Sequence, residues 1–430
     1  MFRSNAPASD QRSTVQETPA SIRVLVIGAG YAGLLFTMRL AGKVARQHVQ
    51  IALVNDSDTF TERPRLHQFA TNQVVLWRSL PQMLRRTNVQ FIQERVTGLD
   101  PIHRKITVED QQRTHQLEYD YLVYALGSET DRKTIPGVAQ YAYTLAARGP
   151  LSAAALRETL PSIEARGGQI VVSGGGATGI ETAAEVASAY PHIKVRLVTR
   201  EPLALFLGKS VASSIRRSLQ RLGVEIIDQT SVTSVHAQSV VLDQVNELAC
   251  DLCIWTGGFV APPLAREAGL AVNEHNQMIV DPFLRSISHP EIYAIGDAAS
   301  PREDPGVRVR MSAATATILG AHGADCLSAV LRGKTPKPLS FAYLGQGIAL
   351  GRHNAIGFNN YPDDTPRPPY FTGWLGYQIR ESFVRYLAAV PRLERRWPGL
   401  FVWPGKRRYE TAQRQQKAKE QQNSMHLHRV

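Results

Sequence analysis

A chain of 430 residues is long enough for two or three domains. Its composition, 43% hydrophobic and 20% charged, excludes a disordered or fibrous chain, and no apolar run reads as long enough to span a bilayer. The net charge of +12 is uneven: residues 380–430 hold 12 Lys or Arg against 4 Asp or Glu, a basic end that suits acidic lipid or nucleic acid.

Residues 1–21 are polar, rich in Ser, Thr, Gln and Pro, and lack the apolar core of a signal peptide; they read as a disordered lead-in. An apolar strand, Val24-Leu25-Val26-Ile27, then runs into Gly28-Ala29-Gly30-Tyr31-Ala32-Gly33. Leu34, Leu35, Met38 and Leu40 predict a helix from Ala32 to Val44. A strand, a glycine turn and a helix in this order hold a dinucleotide. The glycines permit the turn and let the backbone approach the pyrophosphate, and the helix N-terminus offers unpaired N–H groups. A second strand, Val49–Val54, ends at Asn55-Asp56, where such a fold contacts the adenosine ribose. Asn55 can do this as a neutral group, or Asp56 if the strand ends one residue later. Tyr119–Ser128 is a further strand, running into a turn at Gly127.

The same signature returns at Ile170-Val171-Val172-Ser173, followed by Gly174-Gly175-Gly176-Ala177-Thr178-Gly179. Two dinucleotides in one chain imply electron transfer between two redox cofactors. The second strand of this unit, Lys194–Val198, ends at Thr199-Arg200-Glu201. An acidic group there binds the 2′-hydroxyl of NADH, whereas Arg200 favours the 2′-phosphate of NADPH. The reading leans to NADPH, and Glu201 keeps NADH open. Cys250 and Cys253 have a CxxC spacing but lie in an apolar run; they read as core residues on opposite faces of a strand. With Cys326 they are the only cysteines, too few for a disulfide framework.

Glu291–Ala299 is another strand, with Asp297 opening a helix at the carboxyl edge of a sheet. This strand and 119–128 make sense if the first domain resumes after an insertion. The expected layout is a first domain of 22–142 and 263–335, an inserted domain of 143–262, a mixed C-terminal domain of 336–404 and a basic polar tail of 405–430. The fold class is α/β, with two three-layer nucleotide-binding domains. Gly373–Leu387 has apolar residues at helical spacing, followed by basic residues and Trp397, Phe401 and Trp403. Such a helix suits a membrane interface, or packs on its own protein or on a second copy.

Five features together resemble the two-dinucleotide-fold flavoprotein oxidoreductases of the pyridine nucleotide-disulfide superfamily, over about 22–400. They are the first glycine turn, Ala125-Leu126-Gly127, the second glycine turn with Glu181, Thr256-Gly257-Gly258, and Gly296-Asp297. Within that superfamily the chain is most similar to type II NADH:quinone dehydrogenases and apoptosis-inducing-factor-like proteins. The resemblance implies a glutathione-reductase-like FAD/NAD(P)-binding fold, with FAD on the first unit and NADPH or NADH on the second. It implies FAD contacts at Gly28, Gly30, Tyr31, Ala32, Gly33, Asn55, Arg65, Val96, Gly127 and Asp297. It implies nicotinamide-cofactor contacts at Gly174, Gly176, Thr178, Gly179, Arg200 and Gly257. Asp297 would bond the ribityl chain. Glu181 would sit close to the nicotinamide and flavin and take part in proton transfer, although a glutamate in a first helical turn also suits the helix dipole. His67 and Gln68, in the loop Thr61–Gln68, could line the acceptor pocket, and Arg63 or Arg65 could offset pyrophosphate charge. Arg310-Met311-Ser312 would back the flavin.

Disulfide reductases and sulfide oxidoreductases of this kind place cysteines beside the flavin, and no cysteine here precedes Cys250. The electrons are therefore expected to leave to a diffusing acceptor, a quinone or quinone-like molecule. An iron–sulfur partner protein or a metabolite-tailoring reaction is the alternative; a redox-sensing interaction protein ranks below both. Nucleic acid is not expected, because Tyr409 is the one aromatic among the basic residues after Arg408. No metal site is read. The implied location is the cytoplasm, with the C-terminal region reaching the membrane face and a homodimer as a further option.

Overall fold

A computed structural model describes residues 21–405, apart from 46–47, 111, 244–245, 302–308 and 362–363. The expectations for the lead-in before Ser21 and the tail from Lys406 lie outside the described residues. The strands of the two main sheets come in the order β1 (Ile22–Ile27), β2 (Val49–Val54), β3 (Val89–Ile92), β4 (Tyr121–Tyr124), β5 (Ala142–Tyr143), β6 (Gln169–Ser173), β7 (Lys194–Thr199), β8 (Glu225–Asp228), β9 (Leu252–Trp255) and β10 (Ile292–Ala294). The helices that matter for the site are α1 (Tyr31–Lys43), α2 (Leu66–Ala70), α3 (Ala177–Ala189), α4 (Ala313–Leu331) and α5 (Gly373–Arg396).

The first sheet has the order β10-β4-β1-β2-β3 and the second β5-β9-β6-β7-β8. Both are parallel throughout. Strands buried on both faces read as continuous apolar runs, which is why Val24–Ile27 and Ile170–Val172 stand out in the sequence. In each sheet the chain turns to opposite sides of one central strand, β1 or β6. Ligands bind at the carboxyl edge beside such a switch point, and both glycine turns lie there. The strand order places the whole second sheet between β4 and β10. Helix α4 returns to pack on α1 so closely that a Cβ at Gly320 would stand 2.4 Å from the Ala32 carbonyl oxygen.

The C-terminal region is a three-stranded antiparallel sheet, β11 (Gly345–Ala349), β12 (Ala355–Asn360) and β13 (Pro366–Phe371), followed by α5. Leu387 and Ala388 of α5 join the first core, and Val390 packs with Leu35, Ile318 and Phe401.

Four expectations need correction. Helix α1 begins at Tyr31 with Gly30 as its N-cap, one residue before the predicted start. Asp297 opens only a single 3₁₀ turn, Gly296–Ala298, which passes into a short strand; the long helix starts later, with Ser312 as N-cap accepting a hydrogen bond from the Thr315 N–H at 3.2 Å. Cys250 precedes β9 rather than lying on it, so the two cysteines do not alternate; both enter one apolar cluster on one face of the second sheet. Helix α4, 19 residues with a mean hydropathy of 1.2, is by length and composition apolar enough to cross a membrane. It is mostly buried, as the core helix between α1 and the C-terminal region.

Candidate active site

The two glycine turns share one steric plan. At the first, Gly28 has φ +96°, and a Cβ there would stand 2.4 Å from the Ala125 carbonyl oxygen. A Cβ on Gly33 would stand 1.9 Å from the Gly28 carbonyl oxygen. At the second, Gly174 has φ +129° and a Cβ would meet Thr256 Oγ1 at 2.4 Å, while one on Gly179 would meet the Gly174 carbonyl oxygen at 1.9 Å. The middle glycines are different: a Cβ on Gly30 or Gly176 would have nothing within 4 Å. Each middle glycine is also the N-cap of its helix, with no side-chain cap. An open space in front of uncapped helix N–H groups is what a pyrophosphate needs. Gly30→Val is therefore expected to fold, since φ −74° and ψ −167° suit valine, but to purify without flavin colour. Circular dichroism and the visible spectrum check both halves of this prediction.

Around the first turn the other candidate residues divide. Asn55 Oδ1 accepts from the Ala29 N–H at 2.9 Å and its Nδ2 donates to the Ser57 carbonyl at 2.8 Å, so this amide braces the turn itself. Asp56 stands exposed beside it. Tyr31 is buried edge-on to Phe60, ring centroids 5.0 Å apart, and its hydroxyl has no partner among the described residues. Ala32 is the contact surface for Gly320 and Gly296. Val96 pairs with Val108 in a small antiparallel sheet and packs on the first core. Gly127, with φ +71°, faces open space.

Asp297 follows β10. Its Oδ2 accepts from Ser128 Oγ at 2.7 Å, and its Oδ1 is buried without a hydrogen-bond partner among the described residues. Burial raises its carboxyl above the usual range, against the pull of the Ser128 hydroxyl, the Arg63 charge and the Ser312 N–H. A buried, orphaned carboxylate oxygen fits a ribityl hydroxyl. The first turn and Asp297 thus suit FAD. Arg65 is held within the protein: its Nε, Nη1 and Nη2 donate to Glu62 (3.1 Å), Gln68 (2.9 Å) and Glu381 (2.8 Å).

The structure brings Glu181, His67 and Gln68 together within a buried array of alternating charge. Glu181, on α3, takes Arg380 Nη2 at 3.0 Å and the Ala349 N–H at 3.0 Å on Oε1. Its Oε2 lies 3.9 Å from His67 Nδ1. Arg380 Nη1 reaches Glu381 at 2.7 Å, Glu381 meets Arg65, Arg65 meets Glu62, and Glu62 meets Arg78 at 3.3 Å. Burial holds the Glu181 carboxyl above its ordinary value despite Arg380. Burial also raises Glu381, but the charges of Arg65 and Arg380 outweigh it and keep that group ionised to lower pH. His67 is pushed well down by burial and by Arg380, and its Nε2 has no partner among the described residues. A carboxyl able to hold a proton beside a neutral imidazole can serve a protonation step. Glu185, one turn along α3, accepts from Thr71 Oγ1 at 3.1 Å and from Gln73.

Sequence reading missed Arg380 and Glu381. One signal was available: position 380 falls between Gly376 and Val384, on the buried stripe of α5. A charge on an apolar stripe needs a buried partner.

At the second turn, Thr178 lies in the first turn of α3 and Gly257 packs under the Trp255 ring. Thr199 packs on Gly175, and Arg200 follows at the end of β7. Arg200 and Glu201 are each 80% exposed, with Nε and Oε1 3.7 Å apart. Burial pushes the Cys250 thiol up to about 11 and Cys326 to about 12. Among the described residues no His, Cys, Asp and Glu side chains gather into a group able to hold a metal.

The sequence model of the pyridine nucleotide-disulphide oxidoreductase family matches residues 22–319. A demethylphylloquinone reductase of Synechocystis sp. is 29% identical over 353 residues, covering 79% of this chain and 87% of that protein. Among solved structures, the sulfide:quinone oxidoreductase of Aquifex aeolicus superposes with a TM-score of 0.72 at 18% identity, covering 86% of this chain and 92% of the other. NDH2 of Plasmodium falciparum, solved with NADH, gives 0.70 at 17% identity, covering 88% and 99%.

Proposed function

The chain belongs to the pyridine nucleotide-disulphide oxidoreductase family, and from that premise we propose an FAD-dependent dehydrogenase that oxidises NADH or NADPH and passes the electrons to a quinone. The observation that carries this is the pair of identical turns, each with one glycine opening onto free space before a helix N-terminus. FAD, when bound, supplies a hydride acceptor toward the nicotinamide and an electron donor toward the quinone. The relative from Synechocystis reduces a quinone by its name, which supports that acceptor class. The three cysteines are all buried, and burial holds their thiols protonated, which supports a route without a disulfide stage.

The chain's own residues then have distinct tasks. The open turns at Gly30 and Gly176 seat the two pyrophosphates. Asp297 Oδ1 accepts a ribityl hydroxyl, and Ser128 fixes the carboxylate that does so. Glu181 holds a proton, oriented by Arg380 and the Ala349 N–H, and His67 stays neutral beside it. Anaerobic mixing with NADH or NADPH tests the reading: the flavin bleaches, and a quinone restores its colour. Bleaching that only a ferredoxin reverses would move the acceptor to an iron–sulfur protein; no bleaching with either nicotinamide would sink the proposal.

Arg200 sets the nicotinamide preference in this reading. Its exposed guanidinium can reach a 2′-phosphate, and the adjacent Glu201 only partly offsets it. Arg200→Ser is expected to weaken NADPH binding about tenfold, the equivalent of about 1.4 kcal/mol, and to leave NADH nearly unchanged. Titration of the oxidised protein with each nucleotide checks this.

The outer face of α5 carries exposed Trp374, Leu375, Ile379 and Tyr386, with Arg385 and Arg392 beside them. That face supports contact with an anionic membrane surface, on the cytoplasmic side. Pull-down by vesicles of acidic phospholipid supports it; a dimer that covers Trp374 would assign the face to a second copy of the chain.

A further inference from the structure

One cleft stands apart from the cofactor turns. It measures about 280 Å³ and lies where α2, α3, the β11–β12 turn and α5 meet, lined by Gln68, Asn72, Gln73, Glu185, His353 and Tyr377. That is near the small end of ligand clefts.

Its floor is electrically settled. Glu185 is buried, takes Thr71 and Gln73 on one oxygen, and faces Arg352 Nε at 3.6 Å. Arg352 Nη2 in turn holds the Thr71 carbonyl at 3.2 Å. The cleft therefore presents no uncompensated charge. One wall is aromatic: the rings of His353 and Tyr377 meet edge-to-face, with centroids 5.4 Å apart. The lining also carries three amides, Gln68, Asn72 and Gln73. The Asn72 carboxamide and the Tyr377 hydroxyl make no hydrogen bond among the described residues, so both remain available as donors. Asn72 and His353, both exposed, hold left-handed backbone, φ 66° and 61°, and line the cleft.

Two neighbourhoods adjoin the lining residues. Gln68 is buried and bonded to Arg65, and so joins the array that reaches Glu181. Next to Gln73 and Tyr377 the chain turns apolar. Gln73 is followed by Val74 and Leu76, 88% and 73% exposed, and Tyr377 sits between exposed Leu375 and Ile379.

A neutral polar cleft with an aromatic wall, two hydrogen-bond donors and a greasy rim fits a flat, uncharged ring bearing carbonyl oxygens and an apolar tail. We propose that this cleft is the docking station of the quinone: the ring lies against His353 and Tyr377, and Asn72 and Tyr377 donate to its oxygens. The proposal rests on quinone reduction as the proposed function. Tyr377 and His353 are thus specificity-determining residues for the acceptor, outside the cofactor turns.

The experiment uses the full FAD-loaded chain with menadione as the quinone. Tyr377→Leu and His353→Asn remove the aromatic wall; asparagine keeps the left-handed turn at 353 unstrained. Each is expected to raise the KM for menadione about tenfold with a smaller change in kcat, and to weaken menadione binding by the same factor in titration calorimetry. Tyr377→Phe keeps the ring and recovers most of the affinity. Anaerobic flavin reduction by NADH reports that the variants are folded and loaded. An unchanged KM and binding constant in both folded variants overturns the docking station while leaving quinone reduction intact. A wild-type protein whose flavin NADH reduces, but which hands nothing to menadione or to a longer-tailed quinone, overturns the function and the station together.

Discussion

Replacing Glu394 by alanine is expected to cost about 3–5 kcal/mol of stability, the range found when one member of a buried ion pair is removed. Glu394 is 0% exposed. Its Oε1 takes Arg39 Nη1 at 3.1 Å and the Phe401 N–H at 2.6 Å, and its Oε2 takes the Gly399 N–H at 2.7 Å. One carboxylate thus ties α1, α5 and the segment after α5 together. Arg39, itself buried, also donates to the Phe401 carbonyl at 2.9 Å and to Asp325 at 2.8 and 2.9 Å. Alanine would leave the buried Phe401 N–H and the half-buried Gly399 N–H without acceptors, and Arg39 with Asp325 as its one remaining carboxylate. Glu394→Gln keeps one acceptor oxygen and is expected to lose less. Denaturant midpoints of the three FAD-loaded proteins test the order wild type, Gln, Ala. If Ala matches wild type, the clasp contributes nothing.

Glu181→Gln is expected to lower kcat for quinone reduction about a hundredfold while flavin reduction by NADH continues at the wild-type rate, the scale of effect that a positioned acid or base supplies. Glutamine keeps an oxygen for the Ala349 N–H but has no proton to give up. The pH profile separates this from a structural effect. Burial raises the Glu181 carboxyl, so the protonated form persists above the ordinary carboxylate range and is lost as pH rises through the raised value. Wild-type kcat is therefore expected to fall on the alkaline side of that value, and the fall is expected to vanish in Glu181→Gln. A variant with reduced kcat and an unchanged pH limb would reassign Glu181 to a structural role.

Much of this protein is written in local sequence. Both nucleotide sheets are parallel, and their buried strands and glycine turns are contiguous signals only a few residues long. The steric reason for Gly28, Gly33 and Gly179 is backbone crowding, and for Gly174 a positive φ with the Thr256 hydroxyl close by; the spacing conveys where such glycines fall. The array around Glu181 was not legible in the same way. Arg65 meets Glu381, and Arg380 meets Glu181, across segments far apart in the chain. No local pattern announces which buried arginine faces which carboxylate. The carboxylates around Arg65 were consequently invisible, and the inward charges of α5 were lost in a stretch that looked like a membrane helix. Asp297 was legible as a ligand position because it follows a strand at a sheet edge. That it opens only one 3₁₀ turn depends on the short strand Ala299–Pro301 that follows, whose pairing partner Met278–Val280 no local pattern marks.

The strand order also sets a timetable for assembly. The second sheet draws all five strands from one continuous stretch, so its contacts can close as soon as that stretch leaves the ribosome. The first sheet cannot finish until β10 arrives, and α1 lacks its neighbour until α4 has been made. Closing those long loops is the slow, high-contact-order step. The unit that begins first in the chain is thus completed last, and α4, the most membrane-like helix, must find its place on α1 at that late moment.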